Sequence, residues 1–131
     1  MRIYLDSAPV IYDVEGNASY ADKVKARVRA ADVQPIASAM TWFECRIKPL
    51  RERDVPRLQD FKDYFEALYE VLDLTREVVD RAAEIRAEYG FSTPDSIHLG
   101  AALVGGCDVF LTNDHRLERF PGIQIDIISA G

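Results

Sequence analysis

Apolar positions along the chain fall into two patterns, short runs that suit strands and stripes of fourfold spacing that suit helices. Arg2 to Leu5 is a short apolar run ending in an acid, Asp6, and predicts a buried first strand. Asp6 or Ser7 then caps a short helix with Pro9 in its first turn. Ala18 to Ala31 predicts a helix with Tyr20, Val24 and Val28 on one face. Gln34 to Ala37 is too short for a helix and predicts a second strand. Ser38 caps a helix to about Ile47, with Met40, Phe43 and Ile47 as its apolar side and Pro49 as its stop. Glu44, one turn past Met40, adjoins that stripe at the edge of the core. Val55 to Tyr69 predicts a longer helix carrying Leu58, Phe61, Phe65 and Leu68 as its stripe.

The second half continues the alternation. Val71 to Leu74 predicts a third strand, and Thr75 opens a helix that Gly90 ends. Ser92 or Thr93 caps the next helix, with Pro94 at a favoured first position. Its body, Ile97 to Val104, is apolar nearly all round and should be buried, and Gly105 and Gly106 end it. Val109 to Thr112 predicts a fourth strand, Asp114 to Phe120 a short helix, and Ile123 to Ile128 a fifth strand. Strands alternating with helices imply an α/β fold whose parallel sheet is covered on both faces. The 131 residues suit a single domain spanning 1–131, with no repeat, linker or low-complexity segment.

Composition narrows the class. Hydrophobic residues at 48% and charged residues at 29% are those of a globular protein. No stretch approaches the roughly 20 apolar residues that span a bilayer. The longest candidate, Ile97 to Leu111, is broken by Gly100, Gly105, Gly106 and Asp108. The chain enters its first strand with no charged-then-apolar leader, so the cytoplasm is the expected compartment. Cys45 and Cys107 have no metal-ligand spacing, and Cys45 reads as a small core residue.

Net charge is −6, which taken alone argues against a nucleic-acid binder. The distribution changes that picture. Arg46, Lys48, Arg51, Arg53 and Arg57 stand against only Glu52 and Asp54, and Lys23, Lys25, Arg27 and Arg29 lie on an earlier helix. From Asp60 to Glu88 the balance is acidic. Solvated helix faces account for each run; the basic ground beside Glu44 is also the candidate grip on a nucleic-acid backbone.

Candidate chemistry lies at the ends of elements. Asp6 and Asp114 each follow a strand, Glu44 lies in an early helical turn, and Asp95 opens a helix. Sites in open parallel sheets form outside the carboxyl ends of strands, where these acids fall. Each has a structural role available, since Asp95 suits a helix dipole and Asp6 and Asp114 can cap helices. Carboxylates about 4 Å apart repel by about 4 kcal/mol at an effective dielectric near 20, so a converged cluster takes up protons or cations. Oxygen donors without a Cys-His set select hard ions such as Mg²⁺ or Mn²⁺. The matching reaction is metal-assisted phosphodiester hydrolysis. His98, one turn past Asp95, is a ligand, a proton shuttle or a satisfied core histidine, and its apolar helix favours the last. Trp42 fits the core better than a base stack, and Thr112 and Asn113 could orient a water beside Asp114.

Ile3-Tyr4-Leu5-Asp6-Ser7, the Ser38 to Glu44 segment, Thr93-Pro94-Asp95-Ser96-Ile97-His98-Leu99 and Leu111-Thr112-Asn113-Asp114 together resemble the PIN-domain ribonucleases. Among these the chain looks most like the VapC toxins of toxin–antitoxin pairs, in motif order, in size and over essentially its whole length. The resemblance implies a three-layer α/β/α sandwich around a parallel sheet of about five strands, with Mg²⁺- or Mn²⁺-dependent endoribonuclease activity. Carried over, Asp6, Glu44, Asp95 and Asp114 form the acidic metal-binding quartet, supported by Ser7, Ser38, Thr112 and Asn113. Arg46, Lys48, Arg51 and Arg53 are the candidate RNA contacts. The expected partners are an RNA substrate, a VapB-type antitoxin whose tail enters the cleft, and a second copy in a homodimer. Pro9 stands where many relatives carry a less rigid residue. Two rivals remain. A non-catalytic PIN-like interaction module has no need of four clustered acids. A phosphoacceptor domain needs a lysine late in the chain, whereas Lys23, Lys25, Lys48 and Lys62 all lie in the first half.

Overall fold

A computed structural model describes residues 1–129. Five strands, β1 (Arg2–Leu5), β2 (Gln34–Ser38), β3 (Glu70–Leu72), β4 (Val109–Thr112) and β5 (Gln124–Ile127), form one sheet in the order β3-β2-β1-β4-β5. All four pairings are parallel, with Tyr4 opposite Ile36 on one side and Phe110 on the other. The strand order reverses at β1, so a crevice opens where the chain leaves β1 and β4 in opposite directions.

Strand side chains alternate between the faces of a sheet, and that alternation divides the core in two. Ile3 and Leu5 join Val10 of α1 (Ser7–Glu15), Val24 of α2 (Ala21–Val28), Cys45 of α3 (Ala39–Arg51) and Phe61 and Phe65 of α4 (Val55–Glu66). Tyr4 points the other way. It joins Ile36, Phe110, Val78 and Ile85 of α5 (Arg76–Tyr89), and Leu99, Ala101 and Ala102 of α6 (Thr93–Val104). Two helical layers thus sandwich the sheet, as the α/β/α expectation required.

Local chemistry sets the boundaries. Asp6, Asp54, Thr75 and Ser92 each accept a backbone N–H at a helix start. Ser38 caps α3 in a reciprocal box with Thr41. The helix expected from Ala18 starts only at Ala21, because the Asn17 side chain accepts from Ser19 N at 2.9 Å and draws the backbone into a turn. The last short helix is a 3₁₀ turn, His115–Arg119.

The helix after β2 departs from expectation twice. It passes through Pro49 and ends at Arg51. Proline removes one N–H, but bonds on either side carry the turn past it: Glu52 N donates to Lys48 O at 3.0 Å and Asp54 N to the Pro49 carbonyl at 2.8 Å. Its buried face is Thr41, Cys45 and Pro49, whereas Phe43 and Ile47 of the expected stripe are 60% and 43% exposed. The Thr41 hydroxyl donates to the Leu5 carbonyl at 3.2 Å, which fixes that rotation against β1.

α6 approaches α5 closely at Gly100. A Cβ there would lie 3.0 Å from both Ala82 N and Val78 O of α5. Gly100→Val should therefore destabilise the protein by about 1–3 kcal/mol, read as a lower urea midpoint at unchanged slope.

Candidate active site in the crevice

Asp6 ends β1 and caps α1, so its carboxylate is held from two directions. Oδ1 accepts from Ser7 N at 2.8 Å and Oδ2 from the Thr112 hydroxyl at 2.7 Å. Asp6 N donates to Leu111 O at 3.0 Å, which ties the end of β1 to β4. Glu44, half-buried on α3, receives the Ser7 hydroxyl on Oε1 at 2.5 Å. The same oxygen lies 2.5 Å from His98 Nε2, which is also 3.4 Å from Asp6 Oδ1. Donor atoms of Asp6, Glu44 and His98 all fall within 4.8 Å of one another.

Asp95 and Asp114 flank this centre with opposite electrostatics. Burial raises the half-buried Asp95 carboxyl above its ordinary range, against the Ser92 hydrogen bond, and the charges of Asp6 and Asp114 raise it further. Asp114 is lowered, chiefly by Arg116, whose Nε lies 3.0 Å from Oδ1 and whose Nη2 lies 2.6 Å from Oδ2. Burial alone would raise Glu44, but hydrogen bonds from His98 and Ser7 bring it below its usual value. Burial pulls His98 down, and Glu44, Asp6 and Asp95 more than reverse that. The site is therefore an excess of negative charge with few internal cations. A divalent ion fits this donor set: oxygens of Asp6 and Glu44 converge, and burial together with the nearby charges of Asp6 and Asp114 disfavours an uncompensated Asp95 charge.

Of the supporting polar residues, Ser7 and Thr112 hold Glu44 and Asp6 directly, and Thr112 Oγ1 also accepts from Asp114 N at 3.1 Å. Asn113 donates to the Tyr12 hydroxyl at 2.7 Å. Ser38 lies below the site, 2.6 Å from the Tyr4 hydroxyl. Lys48 and Arg51 line the cleft of about 440 Å³ with Asp6, Ser7, Glu44, Asn113 and Asp114. Arg46 and Arg53 lie elsewhere. Arg46 sits over the Trp42 ring at 4.9 Å, beside an apolar groove of about 550 Å³ between α3 and α4, and Arg53 is in the turn after α3. Trp42 itself packs edge-on against Phe65, and Cys45 is a buried core residue.

The sequence model of the PIN-domain family matches residues 3–123. The chain belongs to the PIN-domain family. Its fold is that of VapC toxins. A chain of VapBC2 from Rickettsia felis, solved bound to a DNA fragment from their promoter, superposes with a TM-score of 0.79 at 16% identity, over 98% of this chain and 100% of that one. A chain of DNA-bound VapBC from Salmonella typhimurium gives 0.77 at 21%, over 97% and 98%. A sarcin–ricin-loop-cleaving VapC toxin from Mycobacterium tuberculosis gives 0.67 at 13%, over 82% and 86%. No protein of curated function matches the sequence.

Two residues of this PIN-domain site were not singled out as partners of the acids from sequence. His98 is the core histidine its apolar helix favoured, at 1% exposed, yet its partner is Glu44. Arg116 carries no motif signal beyond lying two residues past Asp114. Replacing it should release that carboxylate: Arg116→Ala should raise the Asp114 pKa in a carbon-detected NMR titration, whereas an unchanged value would assign the depression to the backbone cap.

Proposed function

We propose that this PIN domain is a metal-dependent endoribonuclease, the VapC-type toxin of a toxin–antitoxin pair, which hydrolyses phosphodiester bonds in structured RNA at an exposed loop. The observation that carries this reading is the meeting of Asp6 and Glu44 in the switch-point crevice of a PIN fold, flanked by Asp95 and Asp114. Asp6 and Asp95 would hold the principal cation, with Glu44 and Asp114 completing the site or holding a second one. Bound Mg²⁺ or Mn²⁺ supplies activation of a water nucleophile and neutralises charge at the phosphate. The chain's own residues do the rest. Ser7 and Thr112 fix two of the carboxylates, and Lys48 and Arg51 set positive charge along the cleft wall where an RNA backbone would lie.

The partner reading rests on different features. The Rickettsia and Salmonella neighbours are VapBC complexes, which supports a VapB-type antitoxin here. Phe43, Ile47 and Leu50 expose an apolar stripe on α3 beside the cleft, which supports a protein partner, antitoxin or second copy, on that side. No helix of the described residues is long and apolar enough to cross a membrane, and we place the protein in the cytoplasm.

Purified protein incubated with total cellular RNA in Mg²⁺ or Mn²⁺ should produce discrete cuts, with the new ends mapped by sequencing. Chelation should abolish them, and Asp6→Asn or Glu44→Gln should reduce the rate by more than about a hundredfold, beyond the usual cost of a supporting residue. Identical ends from wild type and Asp6→Asn would instead favour a non-catalytic interaction module. For the cleft cations, Arg51→Ala should weaken RNA binding and flatten the slope of log affinity against log salt by about 0.7 per lost phosphate contact. A slope that does not move would remove Arg51 from the RNA path.

A further inference from the structure

His98 is an odd residue to find under a carboxylate cleft. It lies on α6 one turn past Asp95, is almost wholly buried, and engages both ring nitrogens with side chains. Nε2 faces Glu44 at 2.5 Å and Nδ1 lies 2.7 Å from the Tyr4 hydroxyl. Tyr4 in turn lies 2.6 Å from the Ser38 hydroxyl, and Ser38 Oγ accepts from Met40 N at 3.1 Å. A buried histidine needing only satisfaction could bond any nearby carbonyl. This one bridges the central strand and a candidate metal ligand.

The bridge has one fixed end, at Glu44. Ionised Glu44 has no proton to give, so Nε2 donates to it. The other ring nitrogen, Nδ1, meets the Tyr4 hydroxyl, which accepts from a charged ring and donates to a neutral one. The Tyr4 and Ser38 hydroxyls share one hydrogen bond, and the Ser38 oxygen takes the Met40 amide proton. In either protonation state of the ring, the line of hydrogen bonds ends with Nε2 donating to one carboxylate oxygen. Ser7 reaches the same Oε1 from the other side. Among the described residues no hydrogen bond is made to Oε2, so one oxygen is fixed by the protein and the other is left to a cation. Tyr4 is a firm anchor: it is fully buried and stacks on Phe110 at 5.1 Å and 16°.

We propose that His98 and Tyr4 are positioning residues: the buried chain Ser38–Tyr4–His98 fixes Oε1 of Glu44 against the centre of the sheet, so that this carboxylate meets the divalent cation in a single orientation. The proposal rests on the metal-dependent reading of the cleft. Without the chain, Glu44 would be placed by α3 and Ser7 alone, and binding the ion would have to order its side chain.

The test is Mn²⁺ affinity, measured by calorimetry on metal-free full-length protein. Tyr4→Phe keeps the ring on Phe110 and deletes only the hydroxyl. It should weaken Mn²⁺ binding by about tenfold in the wild-type background and leave it unchanged in a Glu44→Ala background. His98→Gln retains an amide donor for Glu44 and should keep most of the affinity, whereas His98→Leu should lose it. This second pair decides the matter if Tyr4→Phe does not fold. Normal Mn²⁺ affinity in Tyr4→Phe, or an equal loss with and without Glu44, overturns the positioning role and leaves the metal site standing. Failure of the wild-type protein to bind Mn²⁺ overturns the metal reading and the proposal together. An NMR signal for the His98 Nε2–H in the metal-free protein, shifted by Glu44→Ala, supports the chain independently of any metal.

Discussion

Mutual repulsion among carboxylates is the constraint on which the rest of this structure turns. Two such charges about 4 Å apart cost about 4 kcal/mol at an effective dielectric near 20, and the crevice gathers Asp6, Glu44, Asp95 and Asp114. The fold answers the repulsion residue by residue. Asp6 receives a backbone N–H and the Thr112 hydroxyl, Glu44 receives Ser7 and His98, and Asp114 receives Arg116. Asp95 gets least: burial, with the charges of Asp6 and Asp114, raises its pKa.

Capping and ligation are usually weighed as rivals for an acid at a helix start. Here two of the candidate ligands, Asp6 and Asp114, are also caps. Asp6 caps α1 and Asp114 caps the 3₁₀ turn, while Asp95 occupies the first turn of α6. A helix start presents unpaired N–H groups and the positive end of the dipole, so it both fixes a carboxylate and lowers the cost of its charge. The parallel sheet supplies the positions. Strands that all run one way deliver their chain ends to one edge, and the order reversal at β1 leaves a gap there for the acids to share.

That logic explains what could be read from the sequence. The strands, the parallel sheet and the element-end positions of Asp6, Asp95 and Asp114 follow from local runs, caps and glycines, which act over a few residues, whereas Glu44 lies within α3. What local pattern left out was the pairing that tertiary structure decides. Pro49 reads locally as a stop, yet α3 continues two residues beyond it. His98 reads as core because its helix is apolar, and it is buried; its partners, Tyr4 and Glu44, are 94 and 54 residues away and carry no local signal. The Arg116 pairing is close in sequence but depends on how the turn after β4 folds. No periodicity reports any of these.

The rotation of α3 shows the site overriding the hydrophobic pattern. At about 100° per residue, Thr41, Cys45 and Pro49 centre on one side of the helix, and Phe43, Ile47 and Leu50 on nearly the opposite side. Glu44, Lys48 and Arg51 lie between the two. Burying the larger apolar stripe would therefore need about half a turn, and would carry Glu44 to the far side of the helix, away from Asp6. The Ser38–Thr41 capping box and the Thr41–Leu5 bond hold the other rotation, in which small and polar residues face the sheet and Glu44 faces the crevice. Large apolar side chains left in water by that choice are a standing cost in a lone chain, at about 25 cal/mol for each Å² left uncovered. A protein partner on this face would recover it. Aiming the carboxylate and presenting an apolar surface beside it are thus one structural decision, which gives a partner on α3 direct access to the acids.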